Sequence, residues 1–173
     1  DPSKLLPYQP VAVSHLVQSI IDNGSAADGS DTGIGKTYQA LAVCRELRLR
    51  PLIICRIAGF SAWKKACKYM NVMPIGMFNW EMFRTAKAVC CGMAIPVVTR
   101  KSRAYRSGYD YTWRGVPNNT LLIFDEAHLG FNADSQNYAF WTASTGRASL
   151  SLSATFADRP ARLKGLFQVL RIM

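Results

Sequence analysis

The nine residues from Gly29 to Thr37, GSDTGIGKT, constrain this chain more than any other stretch. Their glycines allow the backbone to curl tightly and aim several N–H groups at one anion, because a Cβ would obstruct the turn. Lys36 supplies a mobile positive charge for the β- and γ-phosphates of a nucleoside triphosphate, and Thr37 supplies a hydroxyl for Mg²⁺. The stretch therefore predicts a phosphate loop, whose cofactor-binding residues are Thr32, Gly33, Ile34, Gly35, Lys36 and Thr37.

A helix is expected directly after this loop. Apolar residues recur there at the spacing of one helical face, at Ala40, Val43, Cys44 and Leu47. A helix that begins at Lys36 also directs the positive end of its dipole toward the bound anion. One departure is visible, since Ser30 stands where the full phosphate-loop pattern has glycine. The alternative is a glycine-rich turn that only connects two elements, and a second motif argues against it.

That second motif is residues 121–128, LLIFDEAH. Four apolar residues followed by two carboxylates predict a buried parallel strand that carries acids at its carboxyl end. Ligands of open α/β sheets bind at that end of the strands. A phosphate loop needs such an acid to hold Mg²⁺, which points to Asp125. A second acid, Glu126, is placed to orient or deprotonate the attacking water.

Composition narrows the class of protein further. The 173 residues predict one domain, and 49% hydrophobic residues are enough for a substantial core. We find no apolar run of membrane-spanning length and no signal-peptide pattern at the first residues. The formal net charge of +10 favours a polyanionic partner. The odd number of cysteines and their spacing predict reduced intracellular thiols without a zinc site, at Cys44, Cys55, Cys67, Cys90 and Cys91.

The pattern along the chain alternates between strands and helices. Strands are predicted at 26–27, 52–55, 74–80, 121–124 and 148–155, with helices between them, the first carrying a stripe that includes Val13 and Ile20. Ser135 is predicted to cap a helix that carries Trp141, and a last helix contains 163–170. This alternation is typical of an α/β fold with a mainly parallel sheet flanked by helices.

Residues 93–118 interrupt that alternation. The β-prone segments 96–100 and 109–113 flank a basic stretch, which predicts an inserted β-hairpin before the acid-bearing strand. Its cations are expected to contact nucleic-acid phosphates, and they are Arg100, Lys101, Arg103, Arg106 and Arg114. Its aromatic residues Tyr105, Tyr109, Tyr111 and Trp113 are candidates for stacking on bases. Two alternatives stay open: the hairpin is a solvated loop, or Tyr111 and Trp113 pack against the core.

A phosphate loop ending in GKT, then DEAH, then Ser153-Ala154-Thr155, each at a strand end, resembles the first motor domain of superfamily-2 helicases. The loop and Trp63 within SAWKKACKYM are similar to SWI/SNF-like translocases and bacteriophage helicases in particular. The resemblance spans nearly the whole chain, and it implies a RecA-like P-loop ATPase fold. A departure lies at Cys55-Arg56, where relatives often have Cys-Pro.

The resemblance also implies roles for individual residues. Gln9 matches the upstream glutamine that reads adenine. Asn79 stands where the family has a strand-end motif near the nucleic-acid backbone. His128, Ser153 and Thr155 match the residues that couple nucleotide state to nucleic acid. The family implies that the catalytic residues are Lys36, Asp125, Glu126 and His128. It also implies that Thr37 and Asp125 bind the metal.

The same resemblance implies the organisation of the motor. Residues 1–173 are expected to form one RecA-like domain, the N-terminal half of an ATP-dependent helicase or translocase. A second RecA-like domain, in cis or in trans, is expected to close over the nucleotide and donate an arginine. The implied cofactors are ATP and Mg²⁺, the partner is nucleic acid with DNA favoured over RNA, and no membrane is involved.

Two other classes of protein are alternatives. One is a non-catalytic scaffold that binds nucleotide and nucleic acid without turnover, although Lys36, Thr37, Asp125 and Glu126 argue against it. The other is a P-loop kinase or small GTPase. No Asn-Lys-x-Asp guanine reader is present, so the sequence favours ATP over GTP.

Overall fold

The structure is a computed structural model, and it describes residues 4–89, 98–102, 109–132, 135–156 and 163–171. Its helices are α1 Gln9–Asn23, α2 Lys36–Glu46, α3 Phe60–Met70, α4 Trp80–Arg84, α5 Gln136–Thr142 and α6 Leu163–Leu170. Its strands are β1 Ser25–Asp28, β2 Arg50–Cys55, β3 Gly76–Asn79, β4 Val98–Ser102, β5 Tyr109–Trp113, β6 Thr120–Asp125 and β7 Ser149–Leu152.

The main sheet has the order β1-β7-β6-β2-β3, and every neighbouring pair in it is parallel. Parallel strands need crossover connections, and helices supply them on both faces of the sheet. The predicted α/β fold with a mainly parallel sheet is therefore confirmed. The carboxyl ends of all five strands meet at one edge, which we call the carboxyl edge.

Side chains that alternate along the central strands divide the core into two halves. On one face, Ile53 and Ile123 pack with Trp63 of α3 and with apolar residues of α1 and α2. On the other face, Ile54 and Phe124 pack with residues of α4, α5, α6 and the hairpin strands. The middle of the sheet is thus covered on both sides, which explains the near-continuous apolar runs in β2 and β6.

Helices α1 and α2 form where the apolar spacing predicted them, but α2 is more extensively buried than that spacing indicated. Gly24 ends α1 in the left-handed conformation, at φ 75°, which favours glycine. Helix α2 buries residues on all sides, from Gln39 to Cys44, because it lies between α1, α3 and the sheet. The apolar stripe predicted from Ala40, Val43 and Cys44 is therefore only part of its buried surface.

The predicted hairpin is confirmed as the antiparallel pair β4–β5, in which Lys101 is registered with Asp110. Tyr111 and Trp113 are both 7% exposed and join the core, which confirms the alternative that they pack against the core and excludes stacking on bases. Alternation along the strand sends them inward, while Thr112 remains exposed. The tip residues 103–108, with the candidate contacts Arg103 and Arg106, lie outside the described residues.

Other local predictions hold. Ser135 caps α5, since its Oγ accepts a hydrogen bond of 3.1 Å from the backbone N–H of Tyr138. Cys44, Cys55 and Cys67 are buried free thiols, whereas the pair at 90–91 lies outside the described residues. Within the described ranges, every helix is too short or too polar to cross a membrane.

Candidate functional site

The register of the sheet brings the predicted motifs together at the carboxyl edge. Asp28 of β1 and Asp125 of β6 are both registered with Leu152 of β7. Two strand spacings separate the two aspartates, or roughly 10 Å. On the other side of β6, Cys55 of β2 is registered with Asn79 of β3. The phosphate loop, the acidic strand end and Ser153 therefore emerge side by side from neighbouring strands.

The phosphate loop has the curled backbone that its glycines predicted. Gly33 and Gly35 have φ values of 83° and 86°, a conformation that residues with a Cβ rarely adopt. Lys36 begins α2, and its Nζ donates to the carbonyl oxygens of Ser30 at 2.6 Å and Asp31 at 2.7 Å. The ammonium group is thus held above the loop at the N-terminus of α2, where an anion would also meet the helix dipole.

Gln9 is buried beneath this loop rather than open to solvent. It is 2% exposed, its Nε2 donates to the carbonyl oxygen of Ile34 at 2.8 Å, and its Oε1 accepts from the N–H of Leu6 at 2.8 Å. A Cβ added to Gly35 would overlap the Gln9 amide. Gln9 therefore ties the start of α1 to the phosphate loop, while the positive φ at position 35 accounts for its glycine. Its reading of adenine stays a prediction.

The serine that departs from the loop pattern has a specific partner. Both the backbone N–H and the hydroxyl of Ser30 donate to Oδ1 of Asp28, the last residue of β1. Asp28 is 7% exposed, and its Oδ2 has no hydrogen-bond partner among the described residues. Position 30 tolerates a side chain here because this carboxylate anchors its hydroxyl.

Asp125 is held by a hydrogen bond to each of its carboxylate oxygens. Its Oδ2 accepts from Nε1 of Trp63 at 2.8 Å, and its Oδ1 accepts from the N–H of Glu126 at 3.0 Å. Burial raises the pKa of the Asp125 carboxyl, and the hydrogen bond from Trp63 opposes that rise. The charge of Glu126 raises this pKa further, while that of Lys36 lowers it. Burial is therefore the largest influence on the charge of this carboxyl.

Glu126 leaves the strand in a left-handed conformation, at φ 55° and ψ 47°, which costs free energy for a residue with a Cβ. Its Oε2 lies 3.2 Å from Nδ1 of His128, and the same Nδ1 lies 3.1 Å from Oγ of Ser153. The Oγ of Ser153 in turn accepts from the N–H of Thr155 at 3.2 Å. The structure thus brings the predicted base and the three predicted coupling residues together in one series of close polar contacts.

The donor set at this edge suits a hard divalent cation. Asp125 offers a carboxylate whose oxygens keep further lone pairs after the bonds to Trp63 and Glu126. Thr37 lies in the first turn of α2, next to Lys36. Oxygen ligands of this kind, one or two from the protein and the rest from phosphate and water, are what Mg²⁺ takes in ATPase sites. The residues present therefore fit Mg²⁺ together with a nucleotide.

The candidate nucleic-acid contacts are less concentrated. Oδ1 of Asn79 caps α4 by accepting from the N–H of Met82 at 2.8 Å, so part of this side chain has a structural role. Lys101 is exposed on the hairpin, where Asp110 lies opposite it and offsets its charge. The backbone of Arg100 is registered with Tyr111. The nucleic-acid roles of these residues stay predictions.

Sequence reasoning missed three interactions that hold the site together. They are the bond from Ser30 to Asp28 and the bonds from the indoles of Trp63 and Trp80 to Asp125. An acid at the end of the strand before a phosphate loop is a signal that was available for Asp28. Trp63 was noted only for its resemblance to the family, and nothing in the sequence linked either tryptophan to Asp125, because they lie 62 and 45 residues from it.

The sequence of this chain is similar to those of two proteins named as helicases. No protein-family model matches the chain. A protein of Acanthamoeba polyphaga mimivirus named as an ATP-dependent RNA helicase is 31% identical over 144 residues, which are 78% of this chain and 26% of that protein. A protein of Bacillus subtilis (strain 168) named as an uncharacterized ATP-dependent helicase is 25% identical over 177 residues, covering 97% of this chain and 29% of that protein. The chain thus spans less than a third of the length of these relatives.

A solved structure shares the fold. The Sulfolobus solfataricus SWI2/SNF2 ATPase core in complex with dsDNA matches with a TM-score of 0.61 at 15% identity. The match covers 98% of this chain and 35% of that one. At this identity the likeness establishes the RecA-like α/β fold, and it extends over almost every element described above.

Proposed function

We propose that this chain, which is a superfamily-2 helicase motor domain, binds ATP at its carboxyl edge and hydrolyses it to move a larger protein along nucleic acid. One observation carries the proposal. The register of the sheet places the loop that carries Lys36, the part-buried carboxylate of Asp125 and the adjacent Glu126 at one edge of the sheet. A cation for phosphates, an acid for a metal and an acid for water are the groups that this reaction requires.

In the proposed mechanism, the backbone N–H groups of residues 32–37 bind the phosphates, and Lys36 exchanges its loop carbonyls for phosphate oxygens. Asp125 and Thr37 would hold Mg²⁺, which would neutralise charge that develops on the transferred group. Glu126 accepts the proton of the attacking water, so that water attacks directly without a covalent enzyme intermediate.

The series of polar contacts from Glu126 through His128 to Ser153 supports a coupling role for these residues. Nδ1 of His128 lies 3.2 Å from the Glu126 carboxylate and 3.1 Å from Oγ of Ser153, so a proton on this nitrogen would be donated to one of these oxygens or shared between them. Movement of the segment 153–155 would therefore change the position of the base. This is how contacts to nucleic acid near that segment would reach the hydrolytic water.

Nucleic acid is the proposed partner, and DNA is favoured over RNA. The net charge of +10 supports a polyanion. The relatives differ in what their names state, since one is named an RNA helicase and the solved core is in complex with dsDNA. We propose DNA because the motor resembles SWI/SNF-like translocases. Parallel measurements of binding and ATPase stimulation with DNA and with RNA will distinguish the two partners.

A second RecA-like domain is part of the proposal. Such a domain, in cis or in trans, would close over the nucleotide and donate an arginine, a group worth on the order of 10³–10⁵ in rate in related reactions. We therefore expect weak ATP binding and slow turnover from the 173 residues, and faster, nucleic-acid-stimulated turnover from a longer protein that contains them. Full stimulated activity in the 173-residue chain would contradict this part.

The test of the reaction is the substitution Glu126→Gln. The amide keeps the shape of the side chain but cannot take a proton, so ATP binding should persist while turnover falls by about 10²-fold or more. Glu46→Gln at the exposed end of α2 is the matched control and should retain parental turnover. Turnover should be measured by phosphate release, with and without DNA or RNA, in the longest available protein.

The alternatives give different results in the same assay. A non-catalytic scaffold would show no ATPase in any context although it binds ATP. A GTPase or another P-loop enzyme would show GTP displacing ATP with clear preference. Parental turnover in Glu126→Gln would mean that another group is the base.

A further inference from the structure

Two buried indoles contact the same aspartate from opposite faces of the sheet. Trp63 of α3 is 1% exposed and belongs to the core half formed with α1 and α2. Trp80 of α4 is 6% exposed and belongs to the other half. Nε1 of Trp63 donates to Oδ2 of Asp125 at 2.8 Å, and Nε1 of Trp80 donates to the backbone carbonyl of Asp125 at 3.1 Å.

Each bond constrains a different part of the aspartate. An indole has a single N–H donor, and a buried donor normally finds a partner because desolvation without one is costly. The bond from Trp80 fixes the main chain where β6 ends. The bond from Trp63 fixes the orientation of the carboxylate plane, and it is charge-assisted, a kind of bond that is stronger than a neutral one. The rigid rings are themselves held by packing in the two halves of the core.

We infer that Trp63 is a positioning residue for the metal-holding carboxylate, with Trp80 as its counterpart on the backbone. The inference rests on the proposed function, since it assigns Asp125 to Mg²⁺. Outer partners that orient a metal ligand usually matter 10–100-fold for metal affinity. A donor held by the core on one oxygen of Asp125 leaves the remaining lone pairs in a fixed direction.

The test substitution is Trp63→Phe, which keeps an aromatic ring and removes the donor. We expect the Mg²⁺ concentration for half-maximal ADP binding to rise by roughly 10-fold or more. ADP affinity in EDTA should change less than about 2-fold, because the loop contacts to phosphate remain. Both affinities are measured by calorimetry on the 173-residue chain and need no turnover.

Two other tryptophans serve as matched controls. Trp113→Phe removes the same atoms at a buried site whose Nε1 has no partner among the described residues. Trp141→Phe removes a donor that bonds Oγ of Ser151 at 3.2 Å, away from Asp125. Both variants should keep the parental Mg²⁺ dependence. A Trp63→Phe variant with the same Mg²⁺ dependence as these controls would overturn the inference.

The outcomes separate this inference from the proposed function. If the parent chain binds no ADP in Mg²⁺, the proposed function of the 173 residues fails. If the parent binds with Mg²⁺ dependence and Trp63→Phe weakens binding equally in EDTA, Trp63 has only a packing role and the inference fails alone. A selective loss in Mg²⁺ supports it.

A measurement on the unmutated ring covers the case in which Trp63→Phe does not fold. The four indole N–H resonances are assigned in the ¹⁵N-labelled chain by NMR. In Asp125→Asn, the Trp63 resonance should move upfield because its acceptor has lost its charge, while that of Trp113 should stay. An unmoved Trp63 resonance would show that the bond is absent in solution and would overturn the inference.

Discussion

The carboxyl edge and the β4–β5 hairpin both carry groups predicted to face phosphates, yet they are built differently. At the edge, the charged side chains themselves are fixed: Lys36 by two carbonyls, and Asp125 by an indole and a backbone N–H. In the hairpin, the aromatic residues Tyr111 and Trp113 are fixed in the core, and Lys101 is exposed.

Because their charged groups are held differently, the two regions suit different tasks. Fixed charges at the edge are arranged before a ligand arrives, which is what catalysis by electrostatic stabilisation requires. An exposed lysine on a strand anchored by aromatic packing offers charge without a fixed geometry, which suits contacts to a backbone of any sequence. The edge is therefore expected to determine chemistry, and the hairpin is expected to contribute affinity that depends on salt.

The largest expected effect is on stability, from Trp113→Ala in the hairpin. The ring contacts Phe83, Phe124 and Phe140, with centroids 5.3–6.3 Å apart. Its loss should lower the free energy of unfolding by about 3–5 kcal/mol, measured by urea denaturation. Thr112→Ala on the exposed face is the control and should cost less than ~0.5 kcal/mol. A cost for Trp113→Ala no greater than that of the control would mean that the hairpin is not part of the core.

Next in size is Lys36→Ala, which removes the fixed cation of the edge. We expect ADP and ATP affinity to fall by about 100-fold or more, since loss of one partner from a hydrogen-bonded charge pair costs about 2–5 kcal/mol. Lys87→Ala, at an exposed position, should leave affinity unchanged. Calorimetric titration checks both variants. If Lys36→Ala kept the parental nucleotide affinity, the fixed lysine at the carboxyl edge would be no more important for binding than an exposed lysine.

Asp125→Asn tests the cost of fixing a charge at the edge. Because the pKa of Asp125 is raised in the folded chain, its ionisation opposes folding once the pH exceeds the ordinary value of 3.8. The neutral amide should therefore raise the Tm of the nucleotide-free chain at pH 7. The gain should shrink as the pH falls toward 4. Thermal scans at several pH values check this prediction. A gain in Tm that is independent of pH would contradict a raised pKa at Asp125.

The smallest expected effect belongs to the hairpin tip. The double change Arg103→Ala with Arg106→Ala should weaken nucleic-acid binding and leave ATP affinity alone. If each arginine contacts a phosphate, the log–log salt slope for duplex DNA should flatten by about two units. Lys64→Ala with Lys65→Ala on the exposed side of α3 is the comparison. An unchanged slope in the arginine variant would show a solvated hairpin and would shift the interface toward Lys64, Lys65 and Asn79.

Local pattern was enough for most of the fold. Strand β6 was predictable because an apolar run ending in two acids describes a buried parallel strand, and β4–β5 because β-prone segments flank a polar turn. The left-handed glycines of the phosphate loop, Gly33 and Gly35, were predictable from the chemistry that the loop must perform. In each case the informative residues are neighbours in sequence, so their spacing carries the geometry.

Tertiary structure alone decided which residues support the site. Trp63 and Trp80 reach Asp125 from different helices, Gln9 bonds the loop carbonyl of Ile34, and Asp28 bonds Ser30. These contacts depend on how helices pack on the two faces of the sheet. Single-sequence spacing contains no information about partners that far apart in the chain.

The hairpin shows the same division most clearly. Its existence followed from composition, but a basic and aromatic segment fits both a nucleic-acid surface and a core-packed strand. Alternation along β5 made Tyr111 and Trp113 share one face, and the presence of Phe83 and Phe140 opposite that face made it the buried one. The sequence alone determined that the two aromatic side chains act together, and only the folded arrangement decided that they do so inside the protein.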